Sequence, residues 1–287
     1  MAVPATIRYR IGMARPWIRQ VGLVGVLVAF ASGASAGRQN VDVPAQHVPA
    51  SRPPDGKLTA VLVTPDGPGP FPTVIVLHGC GGLSSNQTLW ATRLRDWGYA
   101  ALVLDSFTAR GVRSVCAPSM QPLVTPRDRA GDVLSAAVYL RTLPVIDGAR
   151  IAVLGNSHGG ATAAFVTRRE YDRLYPGLLA ASVDYYGGCG RADDHGTVPL
   201  LALAGEADDW GSPAKSCRAF GGGLKPDQPF EVYTYPGVVH AFDNPAGSAL
   251  SINEGHKMQY DYGAATDSFE RVRAFLDKWV RNKPSRG

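Results

Sequence analysis

The chain has 287 residues, 45% hydrophobic and 18% charged, an ordinary balance for a globular protein with a substantial core. Its net charge of +5 is concentrated at one end, because Arg8, Arg10, Arg15 and Arg19 lie in a 36-residue opening stretch that holds no acid. Of the 29 basic residues, the 25 that remain face 24 acidic ones, which argues against a nucleic-acid partner.

The opening stretch has the layout of a secretory signal. Its arginines form a positive n-region, residues 21–30 form an apolar core, and Ala34-Ser35-Ala36 supplies an A-x-A cleavage pattern. The apolar core is short for a bilayer span. Cleavage after Ala36 and export to the periplasm or beyond is therefore expected, with no stable membrane span afterwards; an uncleaved anchor is the alternative. In an oxidising compartment the four cysteines, Cys80, Cys116, Cys189 and Cys217, suit two disulfides. Their wide spacing and the lack of a C-x-x-C pair argue against zinc, and no metal is expected.

Residues 37–57 are polar and proline-rich and read as an N-terminal arm or linker. Strand and helix signals alternate after that. Residues 58–64 and 73–77 read as strands, the second ending in His78-Gly79-Cys80-Gly81-Gly82. A helix over 86–97 stops at Gly98, and a strand over 99–104 ends at Asp105-Ser106-Phe107. A long loop, 108–125, leads to Pro126, which opens a helix with apolar positions at Val133, Leu134, Ala137, Val138 and Leu140. Residues 151–154, 179–185, 200–204 and 230–235 read as further strands. A last helix, 262–280, carries Phe269, Val272, Phe275, Leu276 and Val280 at helical spacing. This alternation predicts one α/β domain over 58–287, a largely parallel sheet covered on both faces.

Chemistry concentrates where the strands end. Gly155-Asn156-Ser157-His158-Gly159 fits G-x-S-x-G, in which a strained strand-to-helix turn lifts a serine clear of the sheet edge. A glycine turn with no chemistry is the alternative reading of so short a motif. A serine nucleophile needs a base, and that base an orienting acid, in the chain order Ser, Asp or Glu, His. The apolar run 200–204 breaks at Gly205 into Glu206-Ala207-Asp208-Asp209, and the run 230–235 leads through Pro236-Gly237 to His240. Ser157, Asp208 and His240 are thus the candidate triad, with Asp209 the alternative acid and Asp184 a more distant one. Asp105 reads as a cap of its own loop.

His158 follows the serine directly, but its side chain is expected to leave the turn in another direction, which makes it a minor alternative as the base; its backbone N–H, with that of Cys80 in the glycine loop, is a candidate oxyanion donor. His195 reads as a solvated surface residue, and His256 as part of a rim. Phe107 and Trp210, just beyond strand ends, are candidates for a substrate pocket.

Together "VLHGCGG", "DSFTARG", "GNSHGG", "GEADDW" and "YPGVVHAFDNP" resemble the dienelactone hydrolase family of the α/β-hydrolase superfamily, over about residues 58–280. The resemblance implies an open, mostly parallel eight-stranded sheet and a triad carried onto Ser157, Asp208 and His240. It departs at position 157, where the namesake enzymes carry cysteine, which favours a general esterase over dienelactone as substrate. Arg110 is similar in placement to a carboxylate-binding arginine of those enzymes, offset by one residue; a loop-stabilising arginine is the alternative. The sheet order of the family puts Cys80 beside Cys116 and Cys189 beside Cys217, which implies those two disulfides.

The expected function is hydrolysis of a small-molecule ester or lactone without a cofactor. Peptide or amide cleavage on the same scaffold, or a non-catalytic binding protein of the same fold, are the rivals.

Overall fold

A computed structural model describes residues 37–226 and 228–282; the expected signal segment, 1–36, lies outside the described residues. The chain builds strands β1 (Gly37–Pro44), β2 (Lys57–Thr64) and β3 (Phe71–Leu77), then helix α1 (Ser85–Asp96) and β4 (Ala100–Asp105). Next come α2 (Pro126–Leu140), β5 (Ile146–Asn156), α3 (His158–Phe165), α4 (Arg169–Leu174) and β6 (Ala181–Tyr185). The chain continues with β7 (Leu200–Gly205), α5 (Pro213–Gly222), β8 (Phe230–Tyr235), β9 (Ser251–Asn253), β10 (His256–Met258) and α6 (Tyr262–Leu276).

Eight strands form one sheet in the order β1-β2-β4-β3-β5-β6-β7-β8. Pairs from β4 to β8 are parallel, and β2 runs antiparallel to both of its neighbours. The segment expected to be an arm is therefore in part an edge strand, β1. Its signal is a two-residue alternation in which Val41 and Val43 are buried while Asn40, Asp42 and Pro44 are exposed. Such an edge tolerates Pro44 because no further strand needs its missing N–H.

The central strands lack polar alternation because both of their faces are covered. Ile75 and Leu77 of β3, with Ile151 and Val153 of β5, pack on one face with Val133 and Ala137 of α2 and Ala163 of α3. Val74, Val76, Ala152 and Leu154 point the other way, to Trp90 and Leu94 of α1 and Val272 and Phe275 of α6. A smaller cluster joins Leu200 and Ala202 of β7 to Cys217 and Phe220 of α5. Capping boxes start the two helices that frame the site: Ser84 with Gln87 at α1, and Thr125 with Asp128 at α2, where Pro126 takes the first turn.

Cys80 is joined to Cys116 and Cys189 to Cys217, the pairing that the resemblance implies. Two disulfides fit an oxidising compartment. Among the described residues no helix is long and apolar enough to cross a membrane.

Candidate active site

Parallel strands direct their C-terminal ends to one rim, and the loops there carry the polar side chains picked out in the sequence. Ser157 follows β5 with φ 55° and ψ −119°, a conformation that costs a non-glycine residue of order 1–3 kcal/mol. Two features hold it. Ser157 N donates to Tyr185 O at 2.8 Å, and Ala161 N donates to Ser157 O at 2.8 Å. Gly155 makes the tight return possible: a Cβ there would lie 2.0 Å from Gly159 O.

His240 sits after β8, and its Nε2 lies 2.9 Å from Ser157 Oγ. Its Nδ1 lies 2.7 Å from Asp208 Oδ2, and both side chains are buried. The second oxygen of Asp208 accepts from Trp210 N at 2.9 Å, so one carboxylate orients the imidazole and closes its own loop. Asp209, the alternative acid, points elsewhere. It accepts from Lys257 N and pairs with His256, each at 3.3 Å, which ties the β9–β10 hairpin to this loop. His256 stacks on Trp210 at 4.8 Å, and Trp210 in turn lies 5.1 Å from the His240 ring.

Three buried histidines, His158, His78 and His195, are held neutral. Burial, helped by the nearby Arg129 charge, pushes His158 down to about 3. Its Nδ1 accepts from Arg129 Nη1 at 2.9 Å, so the ring turns away from the serine. His78 is likewise pushed down to about 3 by burial and then by Arg129. It links two strand ends, donating from Nδ1 to Gly79 O at 2.8 Å and accepting from Ser106 N at Nε2 at 3.3 Å. His195, expected in solvent, is buried against Phe220 and bonded to Thr167 Oγ1, and burial lowers it to about 4. Its polar neighbours in sequence hid the fact that the strand-end loop folds back onto α3 and α5.

Cys80 lines the same cleft as Ser157 and His158. Its loop is fastened to the 108–125 segment twice, by the disulfide to Cys116 and by Val115 N donating to Cys80 O at 2.8 Å. Phe107, expected on the pocket wall, lies beneath it instead, packed edge-on against His78 and on Val115 and Val124. Arg110, implied as a substrate ligand, is also placed otherwise. Its guanidinium forms a bidentate pair with buried Asp132 and bonds Ser106 O and Arg52 O, so its terminal nitrogens are already engaged. Asp105 caps its loop as expected, accepting from Phe107 N and Thr108 N.

Three side chains near the site escaped the sequence reading. Asp243, three residues past His240, is buried and accepts from Asn86, Trp90 and Asn156 at Oδ2 and from the Tyr186 hydroxyl at Oδ1. Tyr186, with φ 46°, sets its ring edge-on to His240 at 4.6 Å between centroids. Arg129 is fully buried behind His158, and its Nε and Nη2 face no acceptor among the described residues. Burial pushes it down to about 9, still protonated at neutral pH. The "HAFDN" run held the signal for Asp243, but no local pattern marks Arg129, which looks like any polar residue in the first turns of a helix.

Asp184, Cys189 and Cys217 are the one cluster of potential metal ligands among the described residues. Its two sulfurs are joined to each other, which leaves no thiolate for a metal there.

The comparisons agree with this architecture. A dienelactone hydrolase from Anabaena variabilis superposes with a TM-score of 0.59 at 19% identity, over 86% of this chain and 100% of that one. A dienelactone hydrolase-like promiscuous phosphotriesterase from metagenomic libraries gives 0.67 at 24%, over 86% and 99%. A thermophilic carboxylesterase cloned from a metagenomic library gives 0.60 at 15%, over 86% and 90%. Similarity this low speaks for the α/β-hydrolase fold alone, and no curated protein matches the sequence. The sequence profile of the dienelactone hydrolase family matches residues 58–280, from β2 to just past α6, and the chain is therefore a hydrolase belonging to that family.

Proposed function

We propose that the chain is an exported serine hydrolase that cleaves carboxylic esters or lactones through Ser157, His240 and Asp208. The observation that carries this reading is the continuous relay from Ser157 Oγ to His240 Nε2 at 2.9 Å and from His240 Nδ1 to Asp208 Oδ2 at 2.7 Å, mounted on a strained turn.

A serine hydroxyl is a weak nucleophile until a base takes its proton in the attack. His240 Nε2 accepts that proton as Oγ bonds the carbonyl carbon, and Asp208 keeps Nδ1 protonated and stabilises the imidazolium. The carbonyl oxygen gains charge and takes the backbone N–H groups of Cys80 and His158. When the intermediate collapses, the C–O bond to the alcohol breaks and the leaving oxygen takes the proton from Nε2. Water, deprotonated by His240, then attacks the acyl-serine; the acid departs and Oγ regains its proton.

Hydrolysis of p-nitrophenyl esters from C2 to C12 by wild type and Ser157→Ala tests the reading, alongside covalent labelling with a fluorophosphonate. The expected result is labelled, active wild type and a variant that is neither. A wild type inert to every ester and to the label would point to a binding protein of the same fold.

A further inference from the structure

The cleft at Ser157 divides into two arms that share Cys80, Cys116, Tyr186, Trp210 and His240 as walls. The larger, about 560 Å³, adds the apolar side chains of Val115, Pro122, Pro126 and Ala161 to the polar ones of Gln121, Thr125 and His158. The smaller, about 230 Å³, is finished by side-chain amides and hydroxyls, among them Ser84, Asn156, Asn244 and Asn253.

Two features restrict what can lie there. Neither arm is lined by a lysine, arginine, aspartate or glutamate, and His158, which lines the larger, is held neutral. Arg110, the one candidate for a substrate carboxylate, is bound to Asp132. A charged group would leave water for a lining with no counter-charge, which is unfavourable. Secondly, Asn156 is only 3% exposed, and its Oδ1 faces no donor among the described residues although it lines the smaller arm. Its Nδ2 is spent on Tyr186 and Asp243, so the amide cannot flip to hide the acceptor. A buried acceptor beside the reacting serine is served by an O–H or N–H from a water or from the ligand.

The leaving group can be assigned to an arm. Its oxygen must reach the proton on His240 Nε2, and the smaller arm is the one walled by the histidine loop through Ala241 and Asn244. We infer that the substrate is an uncharged ester whose apolar acyl group lies in the larger arm and whose small, hydroxyl-bearing alcohol lies in the smaller one, beside Asn156, Asn244 and Asn253. This rests on the ester-hydrolase reading above.

The test compares four esters by pH-stat: glycerol monobutyrate, butyl butyrate, choline butyrate and monobutyl succinate. One alcohol hydroxyl met by the arm is expected to favour glycerol monobutyrate over butyl butyrate by about tenfold in kcat/KM. The choline ester and the succinate monoester should both fall below butyl butyrate. Asn253→Leu, a substitution on a short outer strand, should bring the glycerol-to-butyl ratio towards one.

Hydrolysis of p-nitrophenyl butyrate, lost in Ser157→Ala, secures the parent reading independently. If that holds while butyl butyrate matches the glycerol ester, or a charged ester is preferred, the substrate assignment is overturned and the hydrolase remains. If no ester turns over at all, the assignment falls with the reading it rests on.

Discussion

Asp243 accepts a hydrogen bond from Asn156 Nδ2 at 3.0 Å, which joins the loop that carries His240 to the residue just before Ser157. The same carboxylate takes the Tyr186 hydroxyl, whose ring braces the imidazole, and Trp90 Nε1 at 2.7 Å from α1. Four elements are thus held in register by one buried side chain. Asp243→Asn puts an amide among these donors and leaves one of them unmatched. The expected outcome is a fall of about 10²-fold in kcat with KM little changed, since a small misplacement of the histidine affects the chemical step. Steady-state kinetics on a p-nitrophenyl ester checks it, and an equal rise in KM would count against a positioning role.

Much of this site was legible in the sequence because its parts sit at strand ends, where an apolar run breaks abruptly into polar residues. Ser157, Asp208 and His240 each follow such a break, and chain order suggests the roles proposed for them. What stayed hidden depends on distance in space. Asp243 acquires meaning only when α1 and β6 bring Trp90 and Tyr186 to it, and Arg129 only when α2 packs it behind His158. Arg110 and Phe107 show the converse: motif position put them near substrate, whereas Asp132 and His78 draw them into the frame beneath. The edge strand β1 was missed because only Val41 and Val43 of its eight residues are buried.

The turn at Ser157 predicts a sharp intolerance at two glycines. A Cβ on Gly155 would meet Gly159 O at 2.0 Å, and one on Gly187 would meet Ala161 N at 1.9 Å. Both obstacles are backbone, so neither can rotate aside. Gly155→Ala and Gly187→Ala are each expected to lower stability by several kcal/mol, in the range of severe core disruptions. Thermal melts of the purified variants measure this; a transition at the wild-type temperature would contradict the packing described.

The two disulfides should separate in their effects. They close segments of 36 and 28 residues, for which chain entropy gives roughly 4 kcal/mol each. In a domain of this size either paired Cys→Ala variant is then expected to melt about 10 °C lower. Only the Cys80 and Cys116 pair also fastens a loop in the cleft, so only its removal should slow turnover at a temperature where both variants are folded. Melting curves and ester kinetics at 25 °C distinguish the two; equal kinetic losses would mean that the Cys80 loop is held by its other contacts.

Asp184 predicts a pH dependence of stability with an unusual sign. Its Oδ1 accepts from Gly187 N at 2.7 Å, but its Oδ2 faces the sulfurs of Cys189 and Cys217 at 3.7 and 3.8 Å, which carry no hydrogen once joined. Burial pushes this carboxyl up to about 7, against the opposing hydrogen bonds from Gly187 and Gly188. The unfolded chain loses the proton near its ordinary value of about 3.9, so between there and pH 7 the native state holds a proton that the unfolded state has lost. Stability from this group is present at low pH and is lost as pH rises through the folded value. Neutral, buried His78, His158 and His195 act in the opposite sense, since the unfolded chain binds their protons as pH falls below about 6.5. Their opposing slopes obscure Asp184 in the wild type alone. Asp184→Asn keeps an acceptor for Gly187 and cannot ionise, so its stability relative to wild type should climb from pH 4 to pH 7 and then level off. Urea midpoints at unit steps from pH 4 to pH 8 measure that difference, and two parallel curves would mean that Asp184 is ionised in the fold.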